Sequence, residues 1–352
     1  CAVVACASGT DAQDTFRFLR GRAGAHAGEV VLLHARMPGH QREAITGGVR
    51  RGLGPAGPRP QRLIVVTTTL LDMSLDIDAD LMVSDLAPLA WLLQRLGRLW
   101  RFEARWQDQG PDRRPRWARA QAEQAGGPRL VVLEPVGDDG TLEIPRWWPE
   151  SMEPYLLETT ADLLAADPVR PVTLPDDVPY LLADFAARLH TGPAGARAAH
   201  EANRVFLEHL GESQLVPPPA RTGSLADLYR RPTGAGHAAT REGERPRRLV
   251  ACYRAPGRSL SLDRDGALPL ETGHPLRPAD VRAVLERTIA VPAAWIAQAQ
   301  APAVPAAWAE HPLLAELTLL VHDADHPGPV RCGSHLLYVD PDLGLVHETD
   351  PA

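Results

Sequence analysis

The sequence contains no lysine, so all 37 of its basic residues are arginine. A phosphate loop of the form G-x-x-x-x-G-K-[ST] depends on its lysine, so the chain has no such loop. It also has no D-E-x-H run of the kind that holds magnesium beside one. Cysteine is scarce: Cys1, Cys6, Cys252 and Cys332 form no C-x-x-C pair. That spacing indicates neither a zinc site nor a disulfide framework and suits a reduced, cytoplasmic setting. No run of eighteen apolar residues and no signal peptide occurs, so no membrane partner is expected. The chain lacks an initiating Met and opens directly on a strand-like run, which reads as a piece of a longer protein.

What is present is ample for folding. At 352 residues and 44% hydrophobic content, two or three domains with real cores are expected. The net charge of −7 does not advertise a nucleic-acid binder. The charge is unevenly spread, however. From Gln94 to Arg119 there are eight arginines against three acids (Glu103, Asp108 and Asp112). Such a patch can track phosphates on an acidic protein, and it reads equally as a solvated loop.

The chain is organised around the stretch from Leu63 to Arg101. Leu63 to Val66 is a continuous apolar run, as expected of a strand buried on both faces. Thr67, Thr68 and Thr69 follow at its C-terminal end, where open α/β sheets place ligands. Hydroxyls and amides there can hold a sugar-phosphate backbone without reading bases. A polar segment carrying Asp72, Ser74, Asp76, Asp78 and Asp80 comes next. It lacks the Gly and the terminal Glu of a calcium loop. A second buried strand, Leu81 to Val83, then leads to Asp85 and a helix with Pro88 in its first turn. On one helix, Gln94, Arg98 and Arg101 fall at i, i+4 and i+7 and share a face. Leu89, Leu92, Leu93, Leu96 and Trp100 occupy the other. Two guanidiniums on one face suit an anion, and their geometry matches phosphate. The spacing therefore predicts an arginine-finger helix for a nucleotide γ-phosphate.

This stretch resembles motifs V and VI of superfamily 2 helicases. The S-L-D-I-D-A-D run, then D-L-A-P and Q-R-L-G-R-L-W-R, is most similar to the CRISPR-associated helicase-nuclease of type I systems. The likeness extends upstream to Leu33-His34-Ala35-Arg36, similar to the motif IV region. Downstream it runs more loosely through P-R-L-V-V-L, T-L-P-D-D-V and D-P-D-L-G-L-V. The resemblance implies a second RecA-like lobe. Gln94, Arg98 and Arg101 would act on ATP, with Asp76 accepting from a ribose hydroxyl. Arg36, Thr67, Thr68 and Ser74 would grip single-stranded DNA. Mg²⁺ ligands would lie on the missing first lobe, so the chain alone should not hydrolyse ATP. The implied partners are that first lobe, a nuclease domain and a crRNA-guided surveillance complex. Met73, where the family often has Gln, and Trp100-Arg101-Phe102, where it often has a His-flanked arginine, depart from the pattern. Two other readings fit the residues: another superfamily 2 nucleic-acid remodeller, or a truncated non-catalytic binding module.

The expected fold is α/β. A RecA-like parallel sheet with flanking helices covers 1–135, with an insertion or loop at 102–128 carrying Trp106 and Trp117. A helical linker follows at 136–215, a Pro/Gly/Arg-rich hinge at 216–248, and a small α+β accessory domain at 249–352. The stretch from His322 to His326 carries two His and two Asp. The Pro327-Gly328-Pro329 that follows reads as a turn rather than a metal site, and no metal is expected in this chain.

Overall fold

The apolar runs become five short strands: β1 (Ala2–Ala5), β2 (Val30–Leu33), β3 (Ile64–Thr67), β4 (Leu81–Asp85) and β5 (Arg129–Leu133). In the computed structural model they form one all-parallel sheet in the order β2-β3-β1-β4-β5. The structure describes residues 1–102, 104, 126–148, 152–214, 224, 246–270, 273, 275–297, 299 and 301–349. Most of the expected insertion, with Trp106, Trp117 and the arginines from Arg105 to Arg119, lies outside the described residues. So does most of the expected hinge.

Alternate residues of each central strand enter different cores, which is why these strands read as unbroken apolar runs. Val65, Leu33, Val3 and Met82 pack on one face with Val49, Leu53, Leu71, Leu75 and Ile77. Val66 and Leu32 pack on the other with Ala12, Phe16 and Met37. Helix α1 (Gly9–Ala23) supplies Phe16 and starts at Ser8, whose hydroxyl accepts from the Asp11 amide at 3.1 Å. Helix α2 (Gly39–Leu53) supplies Val49 and Leu53. Two shorter helices, α3 (Leu70–Ser74) and α4 (Leu89–Leu96), follow β3 and β4.

Strand β1 leaves the sheet toward β2, whereas β4 leaves toward β5. The sheet therefore has a topological switch point between the ends of β1 and β4, the usual place for a crevice. Asp85 closes that point by accepting from the Ala7 amide at 2.8 Å. Burial pushes its carboxyl above the usual carboxylate range.

The C-terminal part begins with β6 (Arg247–Arg254), two residues inside the expected hinge. It pairs antiparallel with β7 (Thr288–Val291) and parallel with β8 (Leu317–Asp323). A second sheet is antiparallel, with β9 (Val330–Cys332), β10 (His335–Asp340) and β11 (Gly344–Thr349). A helix over Pro278–Leu285 precedes β7, which begins at Thr288. Trp308 is enclosed in the core of this part with Val250, Cys252 and Leu319.

The C-terminal strands do not form a compact unit separate from the sheet. Residues 1–85, 91–133 and 244–352 make one unit, and residues 86–90 with 134–243 make the other. Within the first unit, Leu343 and Val346 complete the core on the α1 face of the parallel sheet. Buried Gln13 donates from Nε2 to the carbonyls of both Leu343 and Leu345, each at 2.9 Å. In the second unit, three helices run over Pro154–Ala166, Val178–Thr191 and Ala194–Gln214. Tyr155 donates there to the Leu189 carbonyl at 2.6 Å, and His200 meets Glu153 at 3.0 Å.

Candidate nucleotide and nucleic-acid site

Helix α4 is shorter than the sequence spacing implies. It ends at Leu96, and the chain then turns through Gly97. Gln94, Arg98 and Arg101 therefore do not share one helical face. The i→i−4 ladder gives way because Leu99 pairs instead with Ala79. The Ala79 amide donates to the Arg98 carbonyl at 2.9 Å, and the Trp100 amide to the Ala79 carbonyl at 3.1 Å. Trp100 takes a left-handed φ of 48°, which turns the chain off that bridge. The Arg101 amide then donates to the buried Asp78 carboxylate at 3.0 Å. The two arginines thus ride on a turn fastened to the segment from Asp76 to Asp80, while Gln94 is exposed on α4 itself.

This fastening brings predicted partners together in an unpredicted way. Arg101 donates from Nε to Asp76 Oδ1 at 2.5 Å, and from Nη1 to the Gly97 carbonyl at 3.1 Å. Arg98 reaches the Asp72 carbonyl from Nη2 at 3.5 Å. Its Nε is buried with no hydrogen-bond partner among the described residues. Burial first, and the Arg101 charge second, lower the Arg98 pKa. Two adjacent cations, one with a buried donor left open, make a place where an added anion is favoured.

The arginine that sequence reasoning passed over is Arg95, which is fully buried. It donates from Nε and Nη2 to the two carboxylate oxygens of Asp72, at 3.2 and 3.0 Å, and from Nη1 to Ser84 Oγ at 2.6 Å. The signal was present: Arg95 sits three residues after Leu92, on the apolar side of the helix. A charge at such a position needs a buried counter-charge, and Asp72 lies in an otherwise apolar turn. Arg59 was missed in the same way. It adopts a left-handed φ of 58°, is 4% exposed and pairs with Asp78 at 3.1 Å and Asp80 at 2.6 Å.

The predicted strand-gripping residues divide. Thr67 is enclosed, with its hydroxyl lacking a partner among the described residues. Its side chain cannot therefore meet a phosphate from this position. Thr68 is 8% exposed and Thr69 is half-buried at the start of α3, which ends at Ser74. Arg36 is occupied elsewhere. It donates from Nη1 to Thr10 Oγ1 at 3.0 Å and lies 4.6 Å from the ring centre of Trp295. Burial lowers its pKa to about 10. Arg36 is thus packed between α1 and the C-terminal part. His34 is buried beside it. Its Nδ1 accepts from the Arg36 amide at 3.1 Å, so Nε2 carries the proton and donates to the Leu343 carbonyl at 2.9 Å. Burial lowers its pKa to about 4, with Arg36 adding to the effect.

The stretch from His322 to His326 is a capped turn, in which Asp323 accepts from the amides of Asp325 and His326 at 2.8 and 3.0 Å. His322 donates from Nδ1 to the Gly328 carbonyl at 3.1 Å and stacks on Tyr253. Among the described residues, no group of three His, Cys, Asp or Glu side chains could hold a metal. No described helix is long and apolar enough to cross a membrane.

Comparison with known proteins agrees with this architecture. The family model described as CRISPR-associated nuclease/helicase Cas3, C-terminal, matches residues 1–104, and that for the Cas3 C-terminal domain matches residues 241–345. The CRISPR-associated endonuclease/helicase Cas3 of Thermus thermophilus is 35% identical over 205 residues, covering 57% of this chain and 20% of that protein. The Cas3 nuclease/helicase of Streptococcus thermophilus is 39% identical over 74 residues, 21% of this chain and 8% of that one. Among solved structures, T. fusca Cas3-ATP superposes with a TM-score of 0.79 at 29% identity, covering 98% of this chain and 39% of that chain. A CRISPR RNA-guided surveillance complex in a pre-nicking state contains a similar chain, with a TM-score of 0.72 at 29% identity. The two matched regions bracket the parallel sheet and the C-terminal strands, and the superposition spans nearly everything between. The chain belongs to the Cas3 helicase-nuclease family, as a C-terminal portion of it.

Proposed function

We propose that this chain is the second motor lobe of an ATP-driven DNA translocase in type I CRISPR antiviral interference. Its part in the reaction is to supply guanidinium groups to ATP held mainly by a first RecA-like lobe. The observation that carries this reading is the pairing of Arg98 and Arg101 on one turn, with the buried Arg98 Nε lacking an acceptor among the described residues. That donor set fits a polyphosphate. Arg98 and Arg101 would stabilise charge on the transferring phosphoryl oxygens, Gln94 would sense the γ-phosphate, and Asp76 would accept from a ribose hydroxyl. Mg²⁺, when bound, would supply charge neutralisation at the phosphates, and its ligands would be expected on the first lobe.

The strand would lie along the edge from Thr67 to Thr69 and on to Ser74, with Thr67 shaping the backbone and Thr68 offering the nearer hydroxyl. Binding there should be sequence-independent and salt-sensitive. The partners in this reading are the first lobe, a nuclease domain, single-stranded DNA and a crRNA-guided surveillance complex. The likeness to a chain in such a complex supports the last of these.

The test is the DNA-stimulated ATPase of the full-length protein carrying Arg98→Ala. Loss of a finger should lower turnover by about 10³ or more. Full turnover in that variant would overturn the assignment.

A further inference from the structure

Arg95 is unexplained by the finger reading, although it is the most completely buried charge near the site. Each of its three guanidinium nitrogens donates, to Asp72 or to Ser84. The Ser84 hydroxyl in turn donates to the Asp85 carbonyl at 2.6 Å, at the switch point of the sheet. A buried ion pair of this kind is seldom more stabilising than apolar residues of the same volume. What it does provide is a single allowed arrangement of the elements that carry it. Those elements are α3, which starts directly after Thr69, and α4, whose C-terminal turn presents Arg98. Asp72 serves both sides of that junction: its carboxylate holds Arg95, and its backbone carbonyl meets Arg98. Arg95 and Arg98 are thus locked to one residue on the helix that follows the strand-contacting edge.

We infer that Arg95 is a positioning residue that couples occupancy of the Thr67–Thr69 edge to the placement of Arg98. The inference rests on the finger reading above. Movement of α3 when a strand seats against its leading edge is passed through Asp72 to Arg95, and so to the turn that carries Arg98. By reciprocity, engagement of Arg98 on phosphate favours the strand-bound position of α3.

The experiment uses the full-length protein with Ser84→Ala, Arg95→Lys and Asp72→Asn. ATPase is measured with and without saturating oligothymidylate, alongside oligothymidylate affinity and melting temperature. The first two variants keep a cation at position 95 and are expected to fold. Oligothymidylate stimulation of kcat should fall about tenfold, the size of a typical coupling between sites. Oligothymidylate affinity without nucleotide, KM for ATP without DNA and the DNA-free rate should stay within about twofold of the unaltered protein. A purely structural role would instead lower the melting temperature and the DNA-free rate together. Asp72→Asn removes the carboxylate hydrogen-bonded to buried Arg95; if it unfolds, the other two variants decide. Unaltered stimulation in folded Ser84→Ala and Arg95→Lys overturns the inference and leaves the finger reading standing. Failure of the finger reading is seen separately, as retained turnover in Arg98→Ala.

Discussion

Asp76 and Arg101, assigned to the ribose and phosphate ends of one nucleotide, are bonded to each other at 2.5 Å. The pair is well exposed, with side chains 39% and 55% accessible for Arg101 and Asp76. Exposed pairs of this kind contribute about 0–1 kcal/mol. The contact is therefore cheap to open, and a nucleotide can exchange with it.

That exchange gives a pair of single variants with a split readout. In the full-length protein, Arg101→Ala should lower kcat by about 10³, because it removes charge from the transition state. Asp76→Ala should act on KM for ATP instead, raising it about tenfold through loss of one charge-assisted hydrogen bond. If Asp76→Ala lowers kcat as much as Arg101→Ala does, Asp76 is acting through the arginine and not on the ribose.

Gln13 predicts a stability effect remote from the site. Its amide is the described donor to the carbonyls of Leu343 and Leu345, and it is 2% exposed. Gln13→Ala should destabilise the fold by about 1–3 kcal/mol, the cost of buried acceptors left unpaired. Gly344 makes a related prediction. It has a φ of 72°, and a Cβ there would come within 2.7 Å of the Arg36 carbonyl. Gly344→Ala should destabilise as well, through strain and a backbone clash. Urea unfolding of each variant measures both effects, and unchanged midpoints would mean that the C-terminal strands do not seat on the sheet as described.

His34 gives stability a pH dependence of known sign. Its folded-state pKa is lowered to about 4 from an ordinary value of 6.5. Between these values the unfolded chain takes up a proton that the folded chain does not, so stability falls as pH drops from about 6.5 to about 4. Over that window the loss is on the order of 3 kcal/mol. His34→Asn removes the titration, so its melting temperature should change less steeply with pH across the window. Parallel slopes for the two proteins would show that His34 is not neutral in the folded state.

Local sequence was a good guide to the sheet because its signals are short-range. Strands β3 and β4 were legible as apolar runs buried on both sides, and the ligand edge followed from their ends. The residues of the site were legible by type, through the spacing of Gln94, Arg98 and Arg101. Their geometry was not. The helical spacing assumed a continuous backbone ladder, and the bridge between Ala79 and Leu99 broke that ladder twenty residues downstream of its partner. The surroundings of Arg36 were hidden for a similar reason. Nothing near it in sequence announces that Trp295, from the far end of the chain, will lie against its guanidinium.

The sequence by itself determined the chemistry available to this protein. Absence of lysine removed a phosphate loop, the apolar runs dictated a doubly covered parallel sheet, and motif-like spacing put arginines after its fourth strand. These are properties of composition and of neighbours within a few residues. Tertiary structure decided which arginine is buried and which remain open to an anion. It also decided that the C-terminal strands complete the core of the first sheet. Both outcomes depend on contacts between residues far apart in the chain, where desolvation and hydrogen-bond satisfaction are settled only once the elements have packed.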